Sequence, residues 1–106
     1  CGLVHHLHSL SAQGKVATLD ELDGLVAIAQ NVFPKFYQTI IDDTKGLSYR
    51  EIITCILIRF KFIPSEIAVL TNNSYQQITN LKSSINKKLF DKKGAKTLDF
   101  HLMSLK

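Results

Sequence analysis

A run of polar side chains between residues 74 and 96 is the part of the chain best equipped to bind a partner. In its first part an apolar stripe, formed by Ile78, Leu81, Ile85 and Leu89, recurs with a period near 3.6 residues, which predicts a long helix with one apolar face. Glutamine and asparagine can form paired hydrogen bonds with adenine, and lysine pairs with phosphate groups. The candidates for such base contacts are Gln76, Gln77, Thr79, Asn80 and Ser83, and the candidates for phosphate contacts are Lys82, Lys87, Lys88, Lys92, Lys93 and Lys96.

Histidines and cysteines could support metal or nucleophilic chemistry elsewhere in the chain. His5, His6 and His8 lie near the amino terminus, but Cys1 is the only other ligand type close to them, and zinc needs three or four protein ligands. Cys55 stands in a run of isoleucines with no base to activate it. The sequence also contains no paired catalytic carboxylates and no glycine-rich phosphate loop. We therefore expect no metal site, no cofactor and no enzymatic activity.

The positive charge is concentrated in the second half of the chain. The net charge is +4, and residues 1–46 carry three lysines against five acidic residues. Residues 47–106 carry ten lysines and arginines against four acidic residues. Such asymmetry is typical of a module that contacts phosphates on one side, although a lysine-rich surface that meets only water would have the same composition.

Length and composition indicate one soluble domain. The chain has 106 residues, of which 45% are hydrophobic, and this suffices for a single core without disulfides. No apolar run approaches the ~20 residues of a membrane span, so we expect no membrane contact by this segment. The two cysteines fit a reducing, cytoplasmic location, which includes the cytoplasmic end of a membrane-anchored protein. Because the chain begins at Cys1, we interpret it as part of a longer protein.

Helix-start signals recur along the whole sequence and predict an all-α fold. A short leader ends near Gly14, a helix starts at Pro34, and Asn72 and Asn73 predict a turn. Leu98, Leu102 and Leu105 indicate a closing helix capped by Thr97. Three capping boxes mark further helix starts, at Thr18 with Glu21, at Ser48 with Glu51, and at Ser74 with Gln77.

Residues 47–89 resemble the LuxR-type helix-turn-helix, a DNA-binding domain at the carboxyl terminus of many bacterial transcription regulators. The segment 31–43 is similar to the helical segment ahead of this domain in tetratricopeptide-repeat sensor-regulators. The resemblance depends on three groups of residues: Leu47, Ser48, Arg50 and Glu51; Ser65, Glu66, Ile67 and Ala68; and Ser74, Ile78, Lys82, Ile85, Lys88 and Leu89.

The resemblance implies a small all-α bundle containing a LuxR-like helix-turn-helix, preceded by one or two extra helices. Residues 1–46 would form a helical extension packed on the bundle, and 47–106 the helix-turn-helix domain. The implied function is double-stranded DNA binding through a recognition helix over 74–89, with a homodimer through the carboxyl-terminal helix. The family's Thr-Val-Lys and His are replaced here by Gln77, Ile78, Thr79 and Leu81. The alternative is therefore a protein-interaction or dimerisation module that has lost DNA binding.

Overall fold

The computed structural model describes residues 2–105 and confirms the predicted all-α bundle. Helices make up 73% of the structure, and the described residues contain no strand. No helix in this part of the chain is both long and apolar enough to cross a membrane. Cys1, which entered the arguments on metal binding and redox state, lies outside the described residues. The helices are α1 (Gly2–Ala12), α2 (Leu19–Val32), α3 (Pro34–Ile40), α4 (Tyr49–Arg59), α5 (Pro64–Thr71), α6 (Tyr75–Phe90) and α7 (Leu98–Met103).

Three capping boxes begin α2, α4 and α6, as predicted. In α6 the Gln77 amide donates to Ser74 Oγ at 3.0 Å, and the Ser74 amide donates to Gln77 Oε1 at 2.7 Å. The predicted cap of α7 is wrong, because the Thr97 side chain caps no amide. The Thr97 hydroxyl instead accepts a hydrogen bond from Asn86 Nδ2 at 3.0 Å. A tertiary contact has therefore replaced a local one.

Helix α4 forms the centre of the core. Seven of its residues are buried, and it packs against α2, α6 and α7. Cys55 is one of them, and burial raises the pKa of its thiol. A helix that is apolar around most of its circumference needs partners on several sides. Helices α2, α6 and α7 provide these partners.

The amino-terminal helices pack on the same core. Helix α1 lies against α5 and α2, while α2 also contacts α3 and α4. Leu22, Leu25 and Ala29 of α2 are buried, as its apolar periodicity predicts. Leu19 and Val32, whose spacing in the sequence predicts the same buried face, are instead 64% and 55% exposed. They are the first and last residues of α2, so they project beyond the helices that cover its middle.

A short turn joins α5 to α6. Asn72 adopts the left-handed conformation with φ 56°, which asparagine tolerates better than most residues. The Asn73 amide donates to the Ala68 carbonyl at 2.9 Å and closes the end of α5. The chain then enters α6 directly at Ser74. Helix α6 packs chiefly against α4, α5 and α7, as its apolar stripe requires.

Candidate nucleic-acid interface

The amino-terminal half of α6 presents an open polar surface. Ile78 and Ile85 are buried beneath it, whereas Gln76, Gln77 and Asn80 are exposed. Thr79 and Ser83, the other two residues expected at base edges, are half-buried. Tyr75, which sequence reasoning did not include, is 61% exposed in the first turn. Its position directly after the cap was the only signal in the sequence that could have identified it.

Two of the amides on this surface bond to each other. Gln76 Nε2 donates to Asn80 Oδ1 at 3.0 Å, so the two side chains are aligned along one face of α6. The remaining polar atoms of the pair include an acceptor on Gln76 and a donor group on Asn80. An adenine edge offers one donor and one acceptor in the major groove, which matches such a set. Gln77 differs, because its Oε1 is committed to the capping box.

Each lysine of α6 is paired with a carboxylate. Lys82 Nζ lies 2.9 Å from Asp99 Oδ1 of α7, and only 13% of the Lys82 side chain is exposed. Lys87 pairs with Asp91 one turn later, and both side chains are largely exposed. Exposed pairs of this kind stabilise a protein by at most about 1 kcal/mol. A phosphate could therefore replace Asp91 more readily than it could replace Asp99.

Lys88 belongs to a network around the buried carboxylate of Glu51. Its Nζ donates to Glu51 Oε1 and also to the Gly46 carbonyl at 3.1 Å. Burial opposes ionisation of Glu51, but hydrogen bonds from Lys88, the Ser48 amide and the Ser84 hydroxyl outweigh it, and the pKa is lowered. Lys88 is thus committed to the fold. The sequence had indicated Glu51 as a capping residue and as part of the helix-turn-helix resemblance, but not as the partner of Lys88.

The loop after α6 carries lysines of a different kind. Lys92, Lys93 and Lys96 are exposed, and none has an ion-pair partner among residues 2–105. The loop is held by Asn86, which is fully buried and donates through Nδ2 to the Gly94 carbonyl at 3.0 Å. Three lysines without an ion-pair partner in the described part of the chain therefore lie on a segment fixed to α6. Sequence reasoning missed Asn86, because its spacing placed it beside the apolar stripe and gave no sign of its partners.

The histidines of α1 serve as contacts between helices. His6 pairs with Glu21 of α2, and His8 Nδ1 lies 2.7 Å from Glu66 Oε2 of α5. The His8 ring also stacks on Phe62 with centroids 3.9 Å apart. Within the described range, no three or more histidine, cysteine, aspartate or glutamate side chains are grouped so as to hold a metal ion.

Comparison with known proteins gave no match. The chain matches no protein-family model, and searches of curated proteins and of solved structures found nothing similar to it. Function is therefore inferred from the geometry of α6 and its surroundings.

Proposed function

We propose that this protein is the DNA-binding domain of a cytoplasmic transcriptional regulator, with α6 as its recognition helix. The observation that supports this best is the exposed, uncharged polar surface on the first half of α6, directly after the turn from α5. In helix-turn-helix proteins the second helix lies in the major groove and its first residues contact base edges. The resemblance of residues 47–89 to the LuxR-type domain agrees with this assignment.

Base contacts and phosphate contacts divide between two parts of the surface. Gln76 and Asn80 would read base edges, with Gln77, Thr79 and Ser83 beside them, and Tyr75 would add a contact at the start of α6. Phosphate contacts would come mainly from the loop lysines, because those of α6 already have carboxylate partners. Lys87 would join them by exchanging Asp91 for a phosphate. Lys82 and Lys88 would contribute less than their positions in the sequence suggest.

The salt dependence of binding tests this division. Each neutralised phosphate contributes about −0.9 to the slope of log affinity against log salt concentration. Fluorescence anisotropy with a pool of short random duplexes, between about 50 and 200 mM salt, gives the slope for the unaltered protein. Changing Lys92, Lys93 and Lys96 to alanine removes three phosphate contacts, so the magnitude of the salt slope should fall by about 2–3.

A matched variant removes the same charge from the other half of the molecule. Changing Lys15, Lys35 and Lys45 to alanine should change the salt slope less than the loop variant does, because none of these lysines belongs to α6 or to the loop that follows it. If the unaltered protein shows no salt-dependent association, the proposal fails. Equal slopes for both triple variants would mean that the loop does not contact DNA.

A second function, protein interaction without DNA binding, is favoured by the pairing of every α6 lysine. In this function a second copy would dock on α7. Leu98 and Leu102 are buried in the core, so the contact would instead involve Phe100, which is 75% exposed. Sedimentation of the unaltered protein and of Phe100→Ser distinguishes the two functions. A dimer that Phe100→Ser dissociates and that ignores DNA supports the second one.

A further inference from the structure

A groove of about 250 Å³ opens where the segment before α2 meets the start of α4 and the end of α5. Its base is apolar, with the buried side chains of Leu22, Ile53 and Leu70. Val16 and Tyr49, each 51% exposed, stand at its rim. Pockets for drug-sized ligands are usually ~300–1,000 Å³. This groove therefore suits a smaller ligand with an apolar part.

The polar residues around the groove differ in whether their side chains already form hydrogen bonds within the protein. The Tyr49 hydroxyl donates to Asp23 at 3.3 Å, and the Thr71 hydroxyl donates to a carbonyl one turn earlier in α5. Asn73 Nδ2 donates to the carbonyl and the hydroxyl of Thr71. Arg50 is exposed, and its guanidinium has no hydrogen-bond or ion-pair partner within residues 2–105. Among residues 2–105 it is the one cation that lines the groove.

We propose that this groove binds a short-chain monocarboxylate, with its carboxylate on Arg50 and its tail over Ile53 and Leu70. A guanidinium presents a planar fork that pairs with both oxygens of a carboxylate. Asp23 does not line the groove, but it accepts a hydrogen bond from the Tyr49 hydroxyl, so the negative charge of a ligand is favoured on the Arg50 side. The site does not depend on DNA binding by α6.

Titration of the whole chain with hexanoate tests the position of the site. Methyl NMR spectra should show saturable shifts at Val16, Leu22, Ile53 and Leu70, with one dissociation constant on the order of 1 mM. The methyl groups of Leu102, a buried residue of α7 that does not line the groove, serve as an internal control and should not shift. The absence of saturable shifts at the groove methyls by about 10 mM hexanoate would overturn the proposal.

Two comparisons test the chemistry of the ligand. Hexan-1-ol and hexylamine have the same tail without the negative charge, so each should bind about tenfold more weakly than hexanoate. Arg50→Met should weaken hexanoate binding by a similar factor, whereas Lys35→Met, which removes an exposed charge from α3, should not. The proposal is overturned if hexan-1-ol binds as tightly as hexanoate, or if Arg50→Met binds hexanoate as the unaltered protein does. The ligand comparison needs no variant, so it holds even if Arg50→Met misfolds.

Discussion

Lys88 Nζ lies 2.7 Å from Oε1 of Glu51, and this ion pair joins the last turn of α6 to the first turn of α4. Glu51 also accepts hydrogen bonds from the Ser84 hydroxyl at 2.6 Å and from the Ser48 amide at 2.8 Å. One carboxylate, only 3% exposed, thus holds donors from two helices. The orientation of α6 on the bundle depends on it.

Removing this carboxylate should destabilise the fold more than removing the cap alone. Glu51→Ala leaves Lys88, Ser84 and the Ser48 amide without their acceptor, and we expect a loss of about 2–3 kcal/mol in the free energy of unfolding. Ser48→Ala removes only the cap and should cost about 1 kcal/mol. Urea denaturation of both variants measures the difference. Equal losses would show that the contacts to α6 contribute nothing.

Stability should fall in acid because of the same group. The pKa of Glu51 is lowered from its ordinary value of about 4.5. A carboxyl whose pKa is lower in the folded state stabilises the protein above the unfolded value, and this contribution disappears as pH falls through the folded one. Glu66 behaves alike: burial opposes its ionisation, but hydrogen bonds from the Ile63 amide and His8 lower its pKa.

Urea midpoints measured from about pH 6 to pH 3 test this expectation. The unaltered protein should lose stability below about pH 4.5, and Glu51→Gln should lose less over the same interval. If stability falls equally in both proteins, Glu51 is not the cause of the acid sensitivity, and other carboxyl groups are.

Asn86 on the buried side of α6 and Asn80 on its exposed side allow the same substitution, asparagine to alanine, to be compared. Asn86→Ala leaves the Gly94 carbonyl and the Thr97 hydroxyl without their donor, and should cost about 1–3 kcal/mol of stability. Asn80 is exposed, so Asn80→Ala should change the free energy of unfolding by less than about 0.5 kcal/mol. Thermal unfolding of both variants distinguishes them. A similar effect of the two substitutions would contradict a structural role for Asn86.

Local signals in the sequence predicted much of this fold. The boxes at Thr18, Ser48 and Ser74 each depend on residues three apart, so the helix starts followed directly from the sequence. The ion pair of Lys82 with Asp99 joins α6 to α7 and forms only when the two helices pack. Periodicity assigned a face to each lysine, but it could not reveal a partner on another helix. The buried apolar face of α6 was therefore predicted from the sequence, whereas the ion-pair partners of its lysines were not.

Assigning base contacts to the amides of α6 and phosphate contacts mainly to the loop lysines also predicts how the preference for particular DNA sequences should respond to mutation. A double variant, Gln76→Ala with Asn80→Ala, removes two exposed amides and no charge. For each paired base contact removed, the free-energy preference for the selected duplexes should fall by about 1–3 kcal/mol. The salt slope should stay unchanged, because no charge is removed. Selection of duplexes from a random pool measures the preference. Enrichment of the same sequences by the variant and by the unaltered protein would exclude these amides from base recognition.

An NMR titration of the isotopically labelled chain with a short duplex would locate the DNA surface directly. We predict saturable shifts of backbone amides over residues 75–83 and 92–96, with α1, α2 and α3 unaffected. No shifts at all, or shifts confined to the amino-terminal helices, would contradict the assignment of α6 as a recognition helix.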